Sequence, residues 1–217
     1  MGLDMYLYAE RNVDRARIPD IGAPDDEDGT YVSGWDHTNA ADVAIFRALL
    51  EASELGGLKT DDSPHALVLP VNDDTVNVRL CAAYWRKANQ IHAWFVSNVQ
   101  DGIDECQLSP VTREQLETLR DTCIRVIEKS QLADGIVRNG QTWQAGEEGW
   151  KDNLELGKIV IDPAVAEEHL PTQGGFFFGS TDYNEWYVQD LVHTVDAITR
   201  VLASAPTDAT FSYRSSW

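Results

Sequence analysis

Trp85, Asn89 and His92 fall four and three residues apart in the run YWRKANQIHAWF (84–95), which places side chains on one face of a helix. An indole offers a stacking face, an amide a paired donor and acceptor, and an imidazole a switchable one. Together they suit a pocket for a planar, hydrogen-bonding ligand, with Arg86 or Lys87 placed to meet a phosphate. The plain alternative is a core helix whose Asn89 and His92 bond to neighbouring backbone. A second candidate is LPTQGGFFFGST (170–181), where Ser180 and Thr181 precede a helix. The free N–H groups and dipole of a helix start attract anions. Gln173, Tyr183, Trp186 and Tyr187 crowd the same neighbourhood. It is not a P-loop, because G-x-x-x-x-G-K-[ST] requires a Lys that is missing; the alternative is a Phe strand ending in an ordinary N-cap. In the tail SYRSSW, Arg214 serves either an internal ion pair or a ligand. Asp4 and the loop residues Trp35, Asp36 and His37 are secondary candidates, since loops so often carry function.

Other chemistries find less support. Histidines 37, 65, 92, 169 and 193 never adopt H-E-x-x-H or H-x-H spacing, and no Cys/His quartet has zinc spacing, so no metal and no cofactor is expected. A serine nucleophile would need G-x-S-x-G. Cys106 with His92 would make a nucleophile and base, but the acids of QDGIDEC raise a thiol rather than activate it.

These residues need a scaffold. Alternation at 2–9 reads as a half-buried strand. Residues 11–37, with two prolines and the run DDED (25–28), read as a long acidic surface loop. A helix is expected from Thr38 or Asn39 to about residue 55, then strands at 65–71 and 75–83 joined by Asn72-Asp73-Asp74. Pro70 predicts that the first of these is an edge or ends early. A helix over 84–102 follows. Another runs from Thr112 to about 130, opened by Thr112 and Gln115 in capping-box spacing. Residues 132–160 form a loop or hairpin excursion with KIVID (158–162) strand-like. A short helix after Pro163, a long one over 183–203 and a closing strand at 210–217 complete the chain. Strands and helices do not alternate as βαβ. The reading is a single α+β domain over 1–217, a small, mostly antiparallel sheet with four to five helices.

Composition bounds the partners. The 217 residues hold 36 acids and 17 bases, a net charge of −19. That disfavours nucleic acid, which needs clustered Lys and Arg, and an anionic membrane surface. No run of about 18 apolar residues exists, so no membrane span is expected. The start MGLDMYLYAE lacks the basic and apolar regions of a signal peptide, and Tyr6 breaks the myristoylation pattern. Three cysteines without CxxC are expected to be reduced, placing the protein in the cytoplasm.

Three stretches taken together, MGLDMYL (1–7) with GWDH (34–37), YWRKANQIHAWFVSNVQDGIDEC (84–106) with VTREQL (111–116), and LPTQGGFFFGSTDYNEWYVQDL (170–191) with SYRSSW (212–217), give the chain a resemblance. It resembles a family of small proteins encoded by bacteriophages and prophages. Residues 38–75 and 132–160 look like expansions. The resemblance implies no established activity. A phosphoglycerate-kinase label carried by some relatives does not fit, because the chain is too short for that two-lobed enzyme.

The leading expectation is a binding protein holding a small, nucleotide-like ligand between the 84–101 helix and the 173–187 segment, with Arg86, Lys87 or Arg214 meeting its phosphate. In a phage setting it would sequester a host signalling nucleotide. The alternative is an acidic interaction protein that blocks a basic host protein, as a DNA mimic does: residues 20–46 carry seven acids and no Lys or Arg. An enzyme using His92 or an Asp as base is the third possibility.

Overall fold

The alternation at 2–9 does become a strand, but it continues to Asp14. β1 (Asp4–Asp14) sends Met5, Leu7 and Ala9 into the core and leaves Asp4, Tyr6, Tyr8 and Glu10 half-buried on the opposite face. The computed structural model describes residues 2–18, 20, 31–34, 40–58, 65–143, 149–175 and 178–217. The elements are β1, β2 (Tyr31–Gly34), α1 (Ala40–Ser53), β3 (His65–Asn72), β4 (Thr75–Arg86), α2 (Asn89–Asn98), β5 (Ser109–Val111), α3 (Arg113–Lys129), β6 (Leu132–Trp143), β7 (Trp150–Val160), α4 (Ala164–His169), α5 (Glu185–Ser204) and β8 (Thr210–Ser216). One antiparallel sheet runs β2-β3-β4-β1-β8-β5, and β6 with β7 forms a separate hairpin. Helices and sheet share one core, an α+β fold.

The expected loop over 11–37 is therefore shorter at both ends. Arg11–Asp14 pair with β4, Arg15–Arg17 form a 3-10 turn, and 31–34 pair with β3. The strand carrying Pro70 does not end early and lies between β2 and β4; among the described residues β2 pairs with it only at 65–68, and the β3–β4 register shifts between Pro70 and Asn72.

The helix expected over 84–102 starts later than its sequence suggests. β4 does not stop at residue 83; it continues through Arg86, with Tyr84, Trp85 and Arg86 opposite Tyr6, Met5 and Asp4. The helix begins only at Asn89. The turn between them is sharp: Lys87 takes φ +61°, its N–H donates to the Leu3 carbonyl at 2.8 Å, and its own carbonyl accepts from Asn89. Trp85 thus belongs to a strand, and its four-residue spacing from Asn89 is no helical face.

A bulge between Leu7 and Tyr8 leaves Ala82 without a ladder partner on β1. Arg200 of α5 satisfies it, donating from Nη2 to the Ala82 carbonyl at 2.9 Å. The helices cover the Met5–Leu7 face. α3 opens with the expected capping box, Gln115 N–H to Thr112 Oγ1 and Thr112 N–H to Gln115 Oε1, and buries Leu116, Leu119, Cys123 and Val126. Phe95 of α2 stacks on Tyr213 of β8 with centroids 3.9 Å apart. Each wholly buried large side chain, such as Phe46, Phe95 or Leu116, contributes roughly 1.5–3 kcal/mol.

Candidate functional site

A cleft of about 610 Å³ lies where three parts of the chain meet. The β4–α2 turn supplies Arg86, Lys87 and Gln90. The bend of β6 supplies Arg138, Asn139, Gly140 and Gln141. The segment entering α5 supplies Gly179, Ser180, Asp182 and Asn184, and the helix itself Trp186, Tyr187 and Asp190. The volume falls within the roughly 300–1,000 Å³ of small-molecule sites.

The walls are fixed by specific contacts. Asn89, 1% exposed, donates from Nδ2 to the carbonyls of Phe178 and Ser180 at 3.0 and 2.8 Å, and its Oδ1 accepts from Gln173 N–H at 2.9 Å. Gln173, Phe178 and Ser180 are thereby tied to the start of α2. Gly179 between the two carbonyls has φ +92°, and a Cβ there would lie 3.0 Å from the Lys87 Cβ and 3.2 Å from its carbonyl oxygen. Only glycine suits both the conformation and the contact. Hairpin and body meet through Val160 N–H to the Tyr183 carbonyl, Lys158 N–H to Glu185, and the pair Arg138–Asp182 at 3.3 Å.

Charge is distributed unevenly in the cleft. Arg138 is neutralised by Asp182, with Asp152 at 3.8 Å. Arg86 and Lys87 are both exposed, and neither joins an ion pair among the described residues. α2 starts beside them with no side-chain cap, so its positive pole adds to theirs. Asp190 is shielded: burial pushes its carboxyl up to about 6, against the opposing effects of the Gln90 hydrogen bond and His193. Burial also lifts the Tyr187 hydroxyl far above its ordinary range. That hydroxyl donates to the Leu170 carbonyl at 3.0 Å, so it is occupied in the fold. Asn184 caps α5, accepting from Trp186 and Tyr187 N–H, while its Nδ2 is buried with no partner among the described residues.

Of the residues singled out from the sequence, Arg86, Lys87, Ser180, Trp186 and Tyr187 line this cleft. Thr181 and Tyr183 line a neighbouring one of about 520 Å³ on the hairpin side. Trp85, Asn89 and His92 are core residues instead: Trp85 Nε1 donates to Thr194 Oγ1, and His92 is wholly buried between Tyr213 and Asp104. Gln173 contributes its backbone to the Asn89 clamp and does not line the cleft. Arg214 lies on β8, donating to the Cys106 carbonyl, and Asp4 accepts from the Tyr84 hydroxyl, both away from the cleft. The helix N-terminus expected after Ser180 and Thr181 starts four residues later, with Asn184 taking its free N–H groups; Ser180 Oγ instead accepts from Asp182 N–H. Trp35, Asp36, His37 and the acidic run 25–28 lie outside the described residues.

Gln90, Arg138, Asn139, Gln141, Asp182 and Asp190 were not legible as site residues. One signal was present: Trp186 and Asp190 are four apart on a helix and share a face. Among the described residues, no three His, Cys, Asp or Glu side chains converge as a metal site, and no helix is long and apolar enough to cross a membrane. Comparison with protein-family models, with curated proteins and with solved structures finds no match for this chain.

Proposed function

We propose that the chain is a small-ligand-binding protein whose cleft takes a planar, anionic, nucleotide-like molecule. The observation that carries this reading is the pair Arg86 and Lys87, exposed and, among the described residues, without ion-pair partners, at a start of α2 that no side chain caps. In a chain with 36 acids and 17 bases, two adjacent cations beside a cleft that pair with no carboxylate among the described residues favour an anion from outside. Trp186, 37% exposed in the wall, offers a stacking face, and Gln90, Asn139 and Gln141 offer amides for a polar ring edge. The resemblance to phage-encoded proteins is in keeping with a role in withdrawing a signalling nucleotide from a host.

Calorimetric titration with linear and cyclic nucleoside phosphates tests this. Binding is expected for wild type, with loss of at least tenfold in affinity in the double variant Arg86→Ala, Lys87→Ala and an unchanged melting temperature. Absence of heat with every nucleotide, or equal affinity in the variant, would overturn the proposal.

A further inference from the structure

The cleft also contains an acceptor that a phosphate would avoid. Asp190 lies one turn beyond Trp186 on α5, and Gln90 sits in the first turn of α2. Gln90 is 3% exposed, and its Nε2 donates to Asp190 Oδ2 at 3.1 Å. The other carboxylate oxygen, Oδ1, has no hydrogen-bond partner among the described residues. The backbone behind it is braced: Thr194 Oγ1 donates to the Asp190 carbonyl at 2.7 Å and accepts from Trp85 Nε1 at 2.9 Å.

A purely anionic ligand has no use for this arrangement. The charged groups around Asp190 are His193 on its own helix, Arg86 and Lys87 from the β4–α2 turn, and the Arg138–Asp182 pair from hairpin and loop. At neutral pH the carboxyl, pushed up to about 6 by burial, is ionised and accepts only. Gln90 Nε2 carries a second N–H beside it. An acceptor next to a donor complements a ligand edge with a donor next to an acceptor. An exocyclic amine beside a ring nitrogen is such an edge, in adenine and in cytosine. Hypoxanthine and uracil put a carbonyl oxygen where the amine would be, facing the carboxylate acceptor to acceptor.

We propose that Asp190 and Gln90 are specificity residues that select a nucleotide with an amino-bearing base, adenine or cytosine, over its oxo counterpart. This rests on the nucleotide reading of the cleft.

The experiment is a matched titration of the full chain at pH 7.5 with AMP against IMP and CMP against UMP, repeated with Asp190→Asn. Wild type is expected to prefer the amino member of at least one pair by about tenfold or more, as when a hydrogen bond to a charged group is replaced by facing acceptors. AMP against IMP reports a purine edge, CMP against UMP a pyrimidine edge. Asp190→Asn keeps an acceptor for Gln90 and should fold, with the preference falling towards unity. Equal binding within both pairs by wild type, or a preference that survives in Asp190→Asn, overturns the inference and leaves the cation-anchored cleft standing. Failure of all four mononucleotides to bind overturns this inference, and the reading of the cleft on which it rests falls as well only when the linear and cyclic nucleoside phosphates also give no heat.

Discussion

His92 Nδ1 lies 2.8 Å from the Tyr213 hydroxyl inside the core, joining α2 to the strand β8. The other ring nitrogen meets Asp104 Oδ2 at 2.9 Å, and Trp217 Nε1 donates to Asp104 Oδ1 at 3.2 Å. A carboxylate at Nε2 favours the tautomer with the proton on that nitrogen, which leaves Nδ1 to accept from the tyrosine hydroxyl. Tyr213→Phe keeps the Phe95 stack but leaves that buried nitrogen without a donor. Chemical denaturation should show a loss of about 1–2 kcal/mol. An unchanged midpoint would mean that the hydrogen bond contributes nothing.

Asn89 holds Gln173, Phe178 and Ser180 with three hydrogen bonds. Asn89→Ala strands two carbonyls and one N–H, and a loss of roughly 3 kcal/mol is expected. Amide hydrogen exchange should accelerate around residues 173–180 more than in α3. Uniform acceleration would place the effect elsewhere.

Asp190 gives the unliganded protein a pH signature. Its carboxyl is pushed up to about 6 in the folded state, above the ordinary 3.8, so the folded state holds that proton more tightly than the unfolded chain. Stability contributed by this group is therefore present below about pH 4 and is lost as pH rises through 6. Asp190→Asn removes the cost of the buried charge. Its unfolding free energy should be raised at pH 7.5, by about 3 kcal/mol, with the gap to wild type closing near pH 4. A gap independent of pH would contradict this.

The capping box of α3 is a local feature with a local cost. Thr112→Ala should destabilise by about 1 kcal/mol while nucleotide titrations stay unchanged, since Thr112 lies outside the cleft. A change in binding would show that α3 communicates with the cleft.

α3 was legible because its signals are all local: a capping box, then an apolar stripe at helical spacing. The strand end at Tyr84–Arg86 was not, because its pairing partners are Asp4–Tyr6, some eighty residues earlier, and nothing near Trp85 announces them. Asn89 and His92 show why polar residues in an aromatic run mislead. Their hydrogen-bonding capacity serves the fold, and only the structure shows it already used. Arg86 and Lys87 are legible because they stand in the run that reads as a planar-ligand face, and they line the cleft although Trp85, Asn89 and His92 do not. Arg138 and Asp190 were not, because hairpin and helix meet only after folding.

The inner position of β1 has a kinetic consequence. Its neighbours arrive from far along the chain: Tyr84 bonds to Asp4 across 80 residues and Ser212 to Glu10 across 202. The β3–β4 and β6–β7 hairpins and the helices can form from nearby residues, but β8 must close a very long loop to reach β1. High contact order of this kind slows folding and prolongs the exposure of unpaired strand edges. Until β8 docks, Tyr213 is missing from its place against Phe95 and His92, and one edge of β1 lacks its partner. Refolding is therefore expected to finish with a slow phase in which the Phe95–Tyr213 stack forms last.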